Sequence, residues 1–109
     1  MIENDDFYFL YITCRDKEEA RSIGKTLVTS KLIACANIIN KMESIYIWNN
    51  ELIEDLEVIL VAKTIKSKYK EVELAIKALH SYSNPCIICM KIEEGSKIYL
   101  DWIKNSINS

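Results

Sequence analysis

The chain turns almost wholly apolar from Phe7 to Cys14, in the run Phe7-Tyr8-Phe9-Leu10-Tyr11-Ile12. A run without polar alternation predicts a first strand placed centrally in its sheet. The period then changes. Asp16 followed by Glu19 has the form of a helix-capping pair, and Ala20, Ile23, Leu27 and Val28 recur at helical spacing to about Ser30. From Ala34 to Thr64 two long apolar-rich arms flank the polar turn Trp48-Asn49-Asn50-Glu51. One arm carries Ile38, Ile39, Ile45, Tyr46 and Ile47, and the other Val58-Ile59-Leu60-Val61-Ala62. β-branched and aromatic residues at that density predict two strands of one hairpin. Ser67 is placed to cap a second helix with an inward stripe of Tyr69, Val72, Ala75 or Ile76, and Leu79. After the loop His80-Ser81-Tyr82-Ser83-Asn84-Pro85 a fourth strand runs from Cys86 to about Ile92. Glu94-Gly95-Ser96 breaks it, and Ser96 opens a last helix whose apolar residues are Tyr99, Leu100, Trp102 and Ile103.

This order predicts an α+β fold, a ferredoxin-like βαββαβ sandwich with an added C-terminal helix, forming a single domain over residues 1–109. The hairpin arms exceed the usual strand of about 5–6 residues. Their tips are therefore expected to overhang the sheet, and an apolar overhang needs a partner.

Composition narrows the function. Fourteen basic and sixteen acidic residues give a net charge of −2, and no Lys/Arg block stands clear of acidic neighbours, which argues against nucleic acid. The acidic start Met1-Ile2-Glu3-Asn4-Asp5-Asp6 is unlike a secretory leader. No apolar run approaches the roughly 18 residues that span a bilayer. A cytoplasmic protein with no membrane contact is expected, its cysteines Cys14, Cys35, Cys86 and Cys89 being free thiols.

Some stretches carry more than fold. Lys31-Leu32-Ile33-Ala34-Cys35-Ala36-Asn37-Ile38, Ser44-Ile45-Tyr46-Ile47-Trp48, Glu57 to Thr64, His80-x-Tyr82-x-x-Pro85 and Tyr99-Leu100-Asp101-Trp102-Ile103 together resemble the CutA family, small proteins linked to tolerance of divalent cations. The resemblance runs from Phe7 to about Ser106. It implies a ferredoxin-like subunit, a homotrimer in which long hairpins reach across subunit boundaries, and a shape close to the PII signalling proteins. The family's loop usually reads His-Pro-Tyr-Glu-x-Pro-Glu, whereas this chain has His80, Ser81, Tyr82, Ser83, Asn84, Pro85 and Cys86, so both glutamates are replaced. Some members carry two adjacent histidines there, where this chain has Leu79 and His80, and their cysteine near the first strand has an approximate counterpart in Cys14.

The candidate metal residues are therefore His80, the sole histidine, and Cys14. No cofactor is obligatory; copper or another divalent cation is the ligand this reading admits. Position alone also gives His80 a structural role, satisfying the last carbonyls of a helix. Cys86-Ile87-Ile88-Cys89 is formally a C-x-x-C, but in a strand residues three apart face opposite sides and cannot chelate together. Cys35 reads as a small buried hydrophobe. Trp48, beside a turn, is assigned to packing against a neighbouring subunit, and Lys63 to a carboxylate, with Glu54 and Glu57 as candidates, in an intersubunit salt bridge, or alternatively to a bound anion. Tyr82 matches a family signature. Trp48, Glu54, Lys63 and Tyr82 form the expected interface or ligand pocket. No catalytic constellation is present, so the chain is not expected to be an enzyme. The rival reading is a PII-like signalling module that binds a small anionic metabolite between subunits and passes its state to a further protein partner.

Overall fold

The computed structural model describes residues 5–108. Its elements in chain order are β1 (Phe7–Cys14), α1 (Lys17–Thr29), β2 (Cys35–Trp48), β3 (Glu51–Ile65), a 3-10 turn (Lys66–Lys68), α2 (Tyr69–Leu79), β4 (Ile87–Ile92) and α3 (Lys97–Asn108). The strands form one sheet in the order β2-β3-β1-β4, with every neighbouring pair antiparallel. This is the ferredoxin-like arrangement with a third helix appended.

Residue period decides which face is covered. Leu10, Ile12 and Cys14 of β1 stand beside Ala62, Leu60 and Val58 of β3, and all are buried with Ala20, Ile23 and Leu27 of α1 and Val72 and Ile76 of α2. Both helices therefore lie on this face. A Cβ at Gly24 would sit 3.1 Å from the Ala36 Cβ, so a larger residue there would push α1 and the start of β2 apart by a few tenths of an ångström. Phe7 and Ile65, directly opposite each other in the ladder, belong to the other face, where they pack with Leu100, Ile103 and Ile107 of α3 and with Ala34. The rest of that face is open: Ile88 and Met90 are both about half exposed.

Some expectations need correcting. Asp16 does cap α1, accepting the Glu19 N–H at 2.8 Å. Ser67 does not cap α2, because Asp5 from before β1 accepts both its N–H and its hydroxyl proton, and the chain passes through the 3-10 turn before α2 begins. Val28, next to the buried Leu27, and Leu79, the last residue of α2, are exposed rather than inward. Cys35 is only partly buried, with its Sγ 3.6 Å from the Tyr99 hydroxyl.

The hairpin is as long as the pattern implies. Asn49 and Asn50 both take positive φ, 51° and 65°, the backbone a two-residue turn requires between right-twisted strands. β3 pairs with β1 only from Val58 to Ile65, so along Glu51–Glu57 its sole neighbour among the described residues is β2. Where the overhang starts, the register shifts: Ile39 faces Ile59 but Met42 faces Glu57, so Asn40 and Lys41 together oppose Val58. Lys41 takes φ 65° at this bulge, and the Asn40 side chain accepts its N–H.

The two faces of the overhang differ in chemistry. One carries Ile45, Ile47, Leu52 and Leu56, exposed by 69%, 64%, 63% and 68%, together with Glu54 and Glu43. The other carries Tyr46, Trp48, Asp55 and Glu57.

Candidate functional site

The two-residue link from β1 to α1 places Glu19, one turn into the helix, beside Cys14 at the end of the strand. The loop after α2 brings His80 to the same point. Donor atoms of Cys14, Glu19 and His80 lie within 4.8 Å of one another. The sequence reading named His80 and Cys14; Glu19 joins them as a third donor.

Each group is held firmly. His80 Nε2 lies 2.7 Å from the Thr13 carbonyl oxygen, which can only accept, so this nitrogen carries the proton. Nδ1 accepts the Tyr82 N–H at 3.1 Å, and Glu19 Oε1 lies 3.8 Å from it. The imidazole, its side chain fully buried, is thus held in one orientation by contacts at both ring nitrogens. Glu19 accepts the Arg15 N–H at 2.9 Å and the Ser81 N–H at 2.8 Å, tying the start of α1 to the loop after α2. Burial by itself would raise the Glu19 carboxyl, but hydrogen bonds from Ser81 and Arg15 outweigh it and hold the carboxyl below its ordinary range. For Cys14 burial dominates, and with the Glu19 carboxylate it pushes the thiol from 9.0 up to about 12. Cys14 is therefore expected to resist iodoacetamide at pH 8 in the native protein and to react fully in denaturant. Quantitative native labelling in a peptide map would contradict this burial.

On the sheet's open face a cleft of about 420 Å³ lies beside this cluster, lined by Thr13, Tyr46, Trp48, Asp55, Glu57, Cys86 and the loop residues Tyr82, Ser83 and Asn84. Tyr82 joins the two sites. Its N–H serves His80, the two rings lie 4.8 Å apart between centroids, and its hydroxyl donates to Glu57 Oε2 at 2.8 Å. Burial first, then the bond to Glu57 and the charges of Glu57 and Asp55, push the phenol above its ordinary value.

Trp48 and Tyr82 therefore share a cleft, as grouped from sequence, but Glu54 and Lys63 do not join them. Glu54 stands opposite Ile45 on the aliphatic face of the hairpin. Lys63, far along β3, donates to Asn37 Oδ1 at 3.0 Å and lies 5.6 Å from the Tyr99 ring centroid; Glu57 is engaged by Tyr82 instead. Cys86 lines the cleft while Cys89 packs against the helix-covered core, so the C-x-x-C pair is split across the sheet. No helix among the described residues is long and apolar enough to cross a membrane.

Comparison with known proteins agrees with the fold. The family model for the CutA1 divalent ion tolerance protein matches residues 8–106. The chain is 41% identical over 95 residues to the divalent-cation tolerance protein CutA of Thermus thermophilus, covering 87% of this chain and 92% of that one. The crystal structure of CutA1 from the psychrotrophic bacterium Shewanella sp. SIB1, described as a stable protein, superposes with a TM-score of 0.92 at 34% identity, covering 95% of this chain and 97% of that one. A CutA structure from Archaeoglobus fulgidus, described as periplasmic, superposes with a TM-score of 0.90 at 40% identity, covering 93% and 98%. The chain belongs to the CutA1 divalent ion tolerance family.

Proposed function

We propose that this protein acts in divalent-cation tolerance as a homotrimer joined through its long hairpins, binding copper or a similar cation weakly through Cys14, Glu19 and His80. The observation that carries the metal assignment is the convergence of a thiol, a carboxylate and an imidazole within 4.8 Å on three separate elements. The donor set suits a borderline or soft cation. Two ligands of one tetrahedral ion with bonds of about 2.0–2.3 Å stand roughly 3.5 Å apart, so the cluster must contract to close on a metal. The Cys14 proton must leave and His80 Nδ1 must give up the Tyr82 N–H. These requirements favour weak, pH-dependent binding that tightens as the solution becomes more alkaline.

The assembly rests on the overhang, whose aliphatic residues are too exposed for a lone subunit and continue the hairpin past its own sheet. A binding role fits better than catalysis. The thiol beside the imidazole is held protonated, the reverse of an activated nucleophile, and both imidazole nitrogens are already engaged. Free thiols at all four cysteines fit a reducing compartment such as the cytoplasm. The alternative, a PII-like small-molecule module, draws support from the presence of a cleft beside Tyr82, although the cleft's acidic lining does not suit an anionic ligand.

Isothermal titration of the native protein and a His80→Ala variant with Cu(I), Cu(II) and Zn(II) tests the metal reading. Copper affinity is expected to fall at least tenfold in the variant, about 1.4 kcal/mol. Unchanged affinity would remove His80 from the site.

A further inference from the structure

We infer that the cleft between the hairpin and the loop after α2 is a binding site for a small organic ammonium cation, separate from the Cys14–Glu19–His80 cluster. Its walls are Tyr46, Trp48 and Tyr82, its charged residues are Asp55 and Glu57, and no lysine, arginine or histidine lines it. Aromatic faces beside carboxylates attract a cation through ring quadrupoles and Coulomb energy together, and repel the anionic metabolite that a basic cleft would take.

The arrangement follows from strand period. Tyr46 and Trp48 on β2 and Asp55 and Glu57 on β3 occupy one face of the same ribbon, while Ile45, Ile47, Leu52 and Leu56 occupy the other. Glu57 is only 7% exposed, and the Tyr82 hydroxyl fixes one of its oxygens, so the carboxylate is oriented before any ligand arrives. A cleft of about 420 Å³ accommodates an amine or methylated ammonium with part of its hydration. A hydrated inorganic cation is the competing occupant, and it would not need the aromatic walls.

The test uses full-length protein stripped of metals and carrying Trp102→Phe, which leaves Trp48 as the only tryptophan. Its fluorescence is followed at constant ionic strength during titration with tetramethylammonium, 1,4-diaminobutane, magnesium, succinate and ATP. The expected result is a saturable change with at least one ammonium probe that weakens about tenfold or more in Glu57→Gln and is unchanged in Cys14→Ser. Tighter tetramethylammonium binding would mark the rings as the stronger contact, and tighter diaminobutane binding the carboxylates; either supports the site. The proposal is overturned by no saturable response to either ammonium probe, by a response that survives Glu57→Gln undiminished, or by preferential binding of magnesium, succinate or ATP. Because Cys14→Ser removes the copper cluster and not this cleft, failure here is distinguishable from failure of the metal reading.

Discussion

Ile45→Lys combined with Leu56→Lys is expected to turn the trimer proposed above into a folded monomer. Both side chains are more than two-thirds exposed in the single chain and contribute nothing to its core, so their loss leaves the subunit's own packing intact. The lysines would stand directly opposite Glu54 and Glu43, and opposite charges across a ladder support the hairpin. What disappears is intersubunit burial. At about 1.5–3 kcal/mol per apolar side chain, two residues in each of three copies amount to on the order of 10 kcal/mol of assembly energy. Sedimentation at micromolar concentration should show the mass falling threefold with the far-UV circular dichroism retained. A variant that sediments like its parent would remove the aliphatic face from the interface.

The second large effect is expected at Glu19. Its carboxylate accepts backbone N–H groups from Arg15 and Ser81, and Glu19→Ala would strand both donors at a partly buried point. An unpaired buried donor costs about 1–3 kcal/mol, so a loss of roughly 2–5 kcal/mol is expected in urea unfolding at pH 7 and fixed protein concentration. The pH dependence has a defined sign. The folded carboxyl ionises at lower pH than the unfolded one, so its contribution is complete above the unfolded value near 4.3 and fades as pH falls through the folded value. Glu19→Gln should flatten the stability profile in that acidic window. A profile of unchanged slope would mean that other carboxylates carry the acid sensitivity.

Most of the fold was legible because it rests on local period. The apolar run of β1, the helical spacing of Ala20, Ile23 and Leu27, and the asparagine turn between two apolar arms each answer to neighbours a few residues away. Ser67 misled because its partner, Asp5, lies 62 residues away and no local rule links them. Glu19 was read as a capping residue, and it sits in that position; its second role depends on Ser81 and His80 arriving from another helix. The Tyr82–Glu57 bond was hidden for the same reason. Strand alternation puts Glu54 and Glu57 on opposite faces of β3, but which of them faces the cleft depends on Tyr82 arriving from the loop after α2.

The bulge at Asn40 and Lys41 lies where the ribbon leaves its own sheet. The seven residues of β3 beyond it, at about 3.4 Å each, make a lever of roughly 24 Å, so a bend of about 10° at the fulcrum swings the tip by about 4 Å, close to the diameter of a methyl group. The aim of the hairpin is thus set at a point that touches none of the residues at its far end, and lengthening or shortening the chain there by a single residue would redirect the whole arm.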